Sequence, residues 1–156
     1  MKELIAVIED AMRPLVTRFG LHVIRRDDGR HYAAVLYVNA TTGLKVAVEW
    51  MESRPFLTIY ELEDGQIVDE NPPIHPGNER WKAFDVDGLL LIRPVDNSPV
   101  GKMFSRGDLK VVSRLLKRYA DALTEQGDDV LTGNFQVFQQ LKELVMTRAR
   151  ELDKLN

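Results

Sequence analysis

The feature that most constrains the fold is a series of strand-like segments separated by very short turns between residues 21 and 69. Asp28-Gly29, a pair typical of hairpin turns, separates the first two apolar segments. Later segments are separated by residues 40–43, by residues 53–55 and by Asp64-Gly65. Turns of this length cannot hold a crossover helix, so neighbouring strands must pair antiparallel. The sequence therefore predicts an antiparallel meander of about five strands.

Side-chain alternation indicates how these strands are buried. The segment from His31 to Asn39 is apolar at both alternations, which predicts a central strand covered on both faces. The segments 44–50 and 56–63 alternate more regularly, as half-buried strands do. Three prolines within residues 72–76 predict a loop. Residues 81–86 suggest one more strand, and the pattern of residues 88–92 leaves strand and helical turn open.

Helices are predicted at both ends of the chain. Residues 4–19 carry apolar side chains at steps of three and four, with Gly20 at the expected helix end and Pro14 predicted to kink or divide the helix. A second stripe runs from Leu109 to Leu123, with Asp108 as N-cap and Gly127 beyond its end. A third follows Asn134, its expected cap. The chain is thus expected to be a single α+β domain, residues 1–156, with helices packed on the sheet.

Composition excludes several classes of protein. The chain has 156 residues, of which 44% are hydrophobic and 29% charged, typical of a globular protein. It contains no cysteine, which excludes disulfides and thiolate chemistry. No apolar run reaches the roughly 20 residues that a membrane span needs, and the N-terminus lacks the pattern of a signal peptide. We therefore expect a cytoplasmic protein without a membrane partner.

Charge is distributed unevenly along the chain. Residues 41–100 carry five basic and eleven acidic side chains, a net charge of −6, whereas the whole chain has −3. A basic stripe, Lys110, Arg114, Lys117 and Arg118, recurs at helical spacing but has no aromatic residues interleaved. It is best interpreted as a solvated helix face, so no nucleic-acid partner is predicted.

The usual motifs of catalysis are missing from the sequence. There is no phosphate-binding glycine loop, no serine elbow and no pair of histidines at a metal-binding interval. His22, His31 and His75 could form a centre only through the tertiary fold, and solvated histidines are the more economical interpretation. We therefore predict no catalytic residues, no metal and no cofactor.

The candidate binding residues lie in the acidic part of the chain. Glu61 and Glu63 are two residues apart on a strand and share a face, and Asp69 and Glu70 form a second acidic pair. Trp81 is the accompanying aromatic residue. Aromatic side chains rimmed by carboxylates are suited to a basic protein partner, although charged strand positions are more often simply solvent-facing.

Two stretches, WKAFDVDGLLLI and DDVLTGNFQVFQQLKELVMTRAR, carry a resemblance to other proteins. They resemble a set of small bacterial proteins of unknown function, in which an aromatic and acidic segment precedes a helix that begins with L-x-G-D-F-x-x-F-x-x-L. Asn134 stands at the usual acidic position of that pattern. Some families of this size resemble immunity proteins, which neutralise toxins by tight binding. The resemblance implies protein binding and transfers no role to an individual residue.

The sequence thus favours a non-catalytic protein-binding module. An immunity-type protein that neutralises a basic toxin is the most specific form of this hypothesis. One alternative is a small metal-dependent or hydrolytic enzyme that uses His75 or His22 with Asp85 and Asp87 near the proline-rich loop. A second alternative is a self-associating structural module, a homodimer that pairs through an exposed strand or the last helix.

Overall fold

The fold follows from a computed structural model, which describes residues 2–155. The elements follow one another in this order: α1 (Lys2–Phe19), β1 (His22–Asp28), β2 (Tyr32–Val38), β3 (Thr42–Glu49), β4 (Arg54–Glu63), β5 (Gln66–Ile67), β6 (Ala83–Asp85), α2 (Val86–Ile92), α3 (Leu109–Gln126), α4 (Asp128–Leu131) and α5 (Val137–Leu155). Residues 68–82, between β5 and β6, form an extended connection that we call the proline loop.

The sheet is the predicted antiparallel meander. Its strand order is β1-β2-β3-β4-β5, and β6 returns to pair with β4. Every pairing is antiparallel. The α+β class is therefore confirmed, and so is the burial of β2 on both faces, since six of its seven residues are buried. Residues 88–92, which the sequence left open, belong to helix α2.

One face of the sheet, here called the core face, carries the apolar interior. In cross-strand rows, Val35 lies beside Val46 and Leu57, and Leu44 lies between Tyr37 and Ile59. All of these side chains are buried. Helices α1 and α3 pack against each other, and α1 also contacts β1 and β2. The apolar stripes of α1 and α3 are therefore buried on this side of the sheet, which is what holds the domain together.

The helix boundaries agree with the sequence in most places. Gly20 has a φ of 64°, the left-handed conformation expected after α1. The Asp108 side chain accepts a hydrogen bond from the Val111 backbone N–H, as an N-cap does. The Asn134 side chain accepts a hydrogen bond from the Gln136 backbone N–H, which precedes α5. Asn134 therefore stabilises the turn before the helix and does not cap the first turn of the helix. No helix within residues 2–155 has the length and hydropathy to cross a membrane.

The sequence left a kink or a division of the first helix open at Pro14, and the helix is not divided. Helix α1 is continuous from Lys2 to Phe19, with Pro14 inside it and exposed. Proline removes one backbone donor, but Ala11, Met12 and Leu15 are all buried around that point. Their burial outweighs the missing hydrogen bond and keeps the helix undivided.

Asn39 joins three elements at one end of the core face. Its amide donates hydrogen bonds to the backbone carbonyls of Phe19, at the end of α1, and of Leu131, at the end of α4. Its carbonyl oxygen accepts from the backbone N–H groups of Thr41 and Thr42. The short helix α4, which the sequence did not predict, is thereby tied to the β2–β3 turn.

Candidate binding groove

The second face of the sheet, here called the groove face, differs chemically from the core face. One cross-strand row runs from Arg25 through Leu36, Lys45 and Thr58 to Asp85. Charged side chains thus occupy both ends and the middle of this row, whereas the neighbouring core-face row is apolar from Val35 through Val46 to Leu57. Because alternate residues of a strand point to opposite faces, the same five strands build both surfaces.

A groove of about 680 Å³ lies over this face. Its floor is formed by β3 and β4, including Ala47, Phe56 and Tyr60. The proline loop forms one wall and α5 the other, and both contribute apolar side chains. These wall residues are Pro72 and Ile74 on the loop side, and Leu141, Leu144 and Val145 on the helix side.

The proline loop is held against the sheet by an ion cluster centred on Glu70. Both Glu70 carboxylate oxygens accept hydrogen bonds from the Arg25 guanidinium, and Oε1 also accepts from Lys45 Nζ at 2.8 Å. The Tyr60 hydroxyl donates to the backbone oxygen of Glu70 at 3.1 Å. Hydrogen bonding from Arg25, followed by that from Lys45, lowers the pKa of Glu70 to about 2. This wall of the groove is therefore fixed in place by charge.

Asp85 lies at the other end of the row, where the groove meets α2. Its side chain is exposed to the groove, and within residues 2–155 it makes no hydrogen bond or salt bridge. Crowding by the surrounding groove atoms raises its pKa, and the nearby negative charge of Asp87 adds to this, while Arg54 acts in the opposite direction. Asp85 is thus a carboxylate that forms no ion pair or hydrogen bond within the part of the chain that the structure describes.

Asp87 lies beside Asp85 but has a partner. The hydroxyl of the buried Tyr119, on α3, donates a hydrogen bond to Asp87 Oδ1 at 2.5 Å. Burial raises the pKa of Tyr119, and this hydrogen bond to Asp87 raises it further, so the phenol keeps its proton. The Asp87 carboxylate is therefore held in one position at the end of the groove.

Helix α5 reaches its position through aromatic packing and one glycine. Phe138 lies 4.8 Å from Phe84 and 5.1 Å from Phe135, measured between ring centroids. A Cβ atom on Gly88 would come within 3.3 Å of Leu141 Cδ2, so the glycine permits the close approach of α2 and α5. Phe135, Phe138 and Gly88 thus set the position of the second wall of the groove.

The five residues predicted to bind a protein are divided between the two faces. Glu61 and Glu63 do share a face, as predicted. It is the core face, because they continue the same set of alternate positions along β4 as Leu57 and Ile59. Glu70 belongs to the groove face and is neutralised by its ion pairs, while Asp69 accepts a hydrogen bond from the N–H of Asn71.

Trp81, the predicted aromatic residue, is buried. It stacks on Phe84 and has Lys142 Nζ 5.4 Å from its ring centroid, and part of its surface lines the groove. The binding role of the five predicted residues stays a prediction.

The alternative site around the proline loop is assembled only in part. Asp85 and Asp87 come together, but none of the three histidines lines the groove. His22 begins β1, whereas His31 precedes β2 at the far end of that hairpin, where its Nδ1 lies 3.1 Å from Arg106 Nη2. Within residues 2–155, no group of three or more histidine or acidic side chains is arranged to hold a metal ion.

Several groove residues were missed by sequence reasoning. Lys45 and Phe56 looked like ordinary strand positions, and Leu144 and Arg148 looked like an ordinary helix surface. Strand alternation did contain a signal for Lys45, because a lysine interrupts an apolar strand on the face that also carries Arg25 and Thr58. The contribution of α5 had no such signal, since it depends on how the helix packs.

Comparison of the chain with protein-family models, with curated proteins and with solved structures finds no significant match.

Proposed function

We propose that this chain is a non-catalytic protein-binding module and that the groove receives a segment of another protein. The observation that carries the proposal is the groove itself, an open concavity of about 680 Å³ whose aromatic and aliphatic lining is accompanied by an unpaired carboxylate. Apolar anchoring surface with a few oriented polar groups is what recognition sites present to their ligands.

The groove is formed before any partner binds. The ion cluster of Glu70 holds one wall, and the packing of Phe138 on Phe84 holds the other. A binding surface that is already ordered loses little conformational entropy on association, which favours affinity. This rigidity supports binding of a partner segment to a fixed surface.

The sharpest form of the proposal is an immunity-type protein that neutralises a basic toxin in the cytoplasm. Two features support it: the net charge of −6 over residues 41–100 and the resemblance of the C-terminal half to small bacterial proteins. Most of the groove floor comes from this acidic segment, so its negative potential would steer a cationic partner toward the groove.

The test is to block the groove and measure recovery of a partner. The full chain, carrying a purification tag, is used to capture proteins from lysate of its native cell, together with Thr58→Trp and Ser113→Trp variants. Thr58 lies on the groove floor, whereas Ser113 lies on α3 away from the groove. We expect a stoichiometric partner with the unmodified chain and Ser113→Trp, and its loss with Thr58→Trp because the indole fills the groove.

Equal recovery with both variants would place the binding surface elsewhere on the molecule. Recovery of no protein from the native lysate, together with turnover of a small molecule, would overturn the proposal. Circular dichroism of both variants shows whether loss of binding reflects a filled groove or an unfolded chain.

A second candidate function is favoured by the carboxylate pair at the end of the groove. Asp85 has a raised pKa and Asp87 is oriented by Tyr119, an arrangement in which one carboxyl could donate a proton and the other stabilise charge. A panel of chromogenic esters, phosphates and glycosides tests this hydrolytic function. Turnover that disappears in Asp85→Asn would support the enzyme, and absence of turnover across the panel would eliminate it for these substrates.

A further inference from the structure

The two cations in the cross-strand row of Asp85, Lys45 and Arg25, are both engaged by Glu70. Lys45 lies two strands away in the same cross-strand row, roughly 10 Å at the usual strand spacing, and its ammonium group is bound to Glu70. Arg25, at the far end of the row, is bound to Glu70 and to Asp27. Both positive charges of the row are thus paired with Glu70, and Asp85 remains as the charged residue at the opposite end.

Two further cations line the groove, Arg54 on β4 and Arg148 on α5, and Arg54 has a different contact. Its guanidinium carbon lies 4.7 Å from the centroid of the Phe56 ring, the geometry of a cation–π interaction. Among residues 2–155 it forms no salt bridge with Asp85. Two adjacent carboxylates, Asp85 and Asp87, therefore line the groove, and Arg54 acts on Asp85 through its charge without an ion pair.

We infer that the groove recognises a basic side chain, arginine or lysine, of the protein partner, and that this side chain forms an ion pair with Asp85. The inference rests on the proposed function and specifies the chemistry of the segment that binds. The cation would lie beside Thr58, the cross-strand neighbour of Asp85, with its aliphatic stem along the Phe56 side of the floor. Asp87, held by Tyr119, would supply a second negative charge at a fixed position.

The surroundings of Asp85 favour a side-chain cation of a protein over a metal ion. Oxygen ligands for a metal would have to come from several acidic side chains, and residues 2–155 contain no such group of three. A long basic side chain needs only one or two acceptors at its tip and apolar surface along its stem, and the groove offers both.

The inference is tested with terminally blocked tripeptides that carry arginine, lysine, norleucine or glutamate between two alanines. Binding to the full chain is followed through the backbone amide NMR signals of Thr58 and Asp85. We expect saturable shifts with the arginine and lysine peptides. Asp85→Asn should weaken them about tenfold or more, since it removes a charge-assisted hydrogen bond. Asp121→Asn, the same change at an exposed position on α3, should leave them unaltered.

Three results would overturn the inference: no saturable shift with the basic peptides, equal binding of the norleucine peptide, or unchanged binding by Asp85→Asn. The proposed function fails separately. If the lysate partner is lost with Thr58→Trp but retained with Asp85→Asn, protein binding stands and the basic anchor is wrong. If the basic peptides bind through Asp85 but no partner protein is recovered, the cation site stands and the protein-binding function is wrong.

Discussion

The two faces of the sheet carry different kinds of side chains. On the core face, every cross-strand row from β2 to β4 is apolar and buried beneath α1 and α3. On the groove face, the same strands present Lys45, Thr58 and Phe56 to an open concavity, and β6 adds Asp85. Neighbouring residues of a single strand therefore belong alternately to the buried core face and to the open groove face.

This difference teaches which residues serve folding and which are available for binding. The core face gains stability from every side chain it buries. The groove face instead carries a carboxylate, Asp85, that has no ion pair among residues 2–155, and it uses the ion cluster of Glu70 to hold the adjoining proline loop. Features that a fold does not need for its stability are the ones most readily explained by binding.

The largest effect is expected from truncating neighbouring residues of β4. Leu57 is buried on the core face, so Leu57→Ala should lower the free energy of unfolding by about 2–5 kcal/mol. Phe56 is half-buried on the groove face, so Phe56→Ala should cost only about 1–2 kcal/mol although more atoms are removed. Urea unfolding of both variants measures the contrast, and equal losses would show that the two faces are packed alike.

Removing the Asn39 side chain tests the polar end of the core face. Asn39→Ala leaves two carbonyls and two N–H groups without their side-chain partner, and we expect a loss of about 2–3 kcal/mol in the free energy of unfolding. Hydrogen exchange should also quicken in α4, because Leu131 loses its tie to the β2–β3 turn. A variant as stable as the parent chain would mean that water replaces these bonds at no cost.

Neutralising Glu70 should loosen the groove wall without disturbing the core. Glu70→Gln should lower the free energy of unfolding by about 1–2 kcal/mol near pH 7, because Arg25 and Lys45 lose their common partner. Glu79→Gln, at an exposed position of the same loop, is the matched control. The midpoint of thermal unfolding should be lower for Glu70→Gln than for Glu79→Gln. Identical midpoints would show that the ion cluster does not stabilise the loop.

The contribution of Glu70 also depends on pH. Its pKa is lowered in the folded chain from 4.5 to about 2, so the stabilisation is fully present above about pH 4.5 and is lost as the pH falls toward 2. The difference in stability between the parent chain and Glu70→Gln should shrink over this range. A difference that stays constant between about pH 6 and about pH 2.5 would contradict the assignment.

The smallest effect on the free energy of unfolding is expected from Asp85→Asn, which should stabilise the chain where the other substitutions destabilise it. Crowding raises the pKa of this carboxyl, so its ionised form is disfavoured in the folded chain. Asp85→Asn should therefore stabilise the chain slightly at pH 7, by well under about 1 kcal/mol because the groove is open to water. A gain in stability together with a loss of partner binding is the signature of a binding residue, and a clear destabilisation would instead assign Asp85 a structural role.

Much of the fold could be predicted from local patterns. The hairpin turn at Asp28-Gly29, the doubly apolar β2 and the cap at Asp108 are all short-range signals, and the structure confirms them. Local rules left a kink or a division open at Pro14 and could not exclude the division, because the burial of Met12 and Leu15 is a tertiary effect that they omit.

The candidate site was predictable only in fragments. Asp85 and Asp87 stood out as a pair of carboxylates, and the proline-rich loop stood out as an irregular segment. Their relation to Lys45 and Glu70 could not be predicted, because these residues come from strands and a loop that are distant in sequence. Glu61 and Glu63 shared a face as expected, but which face depends on register across the whole sheet.

The sequence by itself determined the antiparallel meander and its flanking helices, because turn length, alternation and helical periodicity act over only a few residues. The tertiary structure alone decided that α5 and the proline loop lie on either side of one sheet face, and that Arg25 and Lys45 both pair with Glu70. Those relations depend on packing and charge between distant segments, where the identity of each neighbour is set by the fold and not by position along the chain.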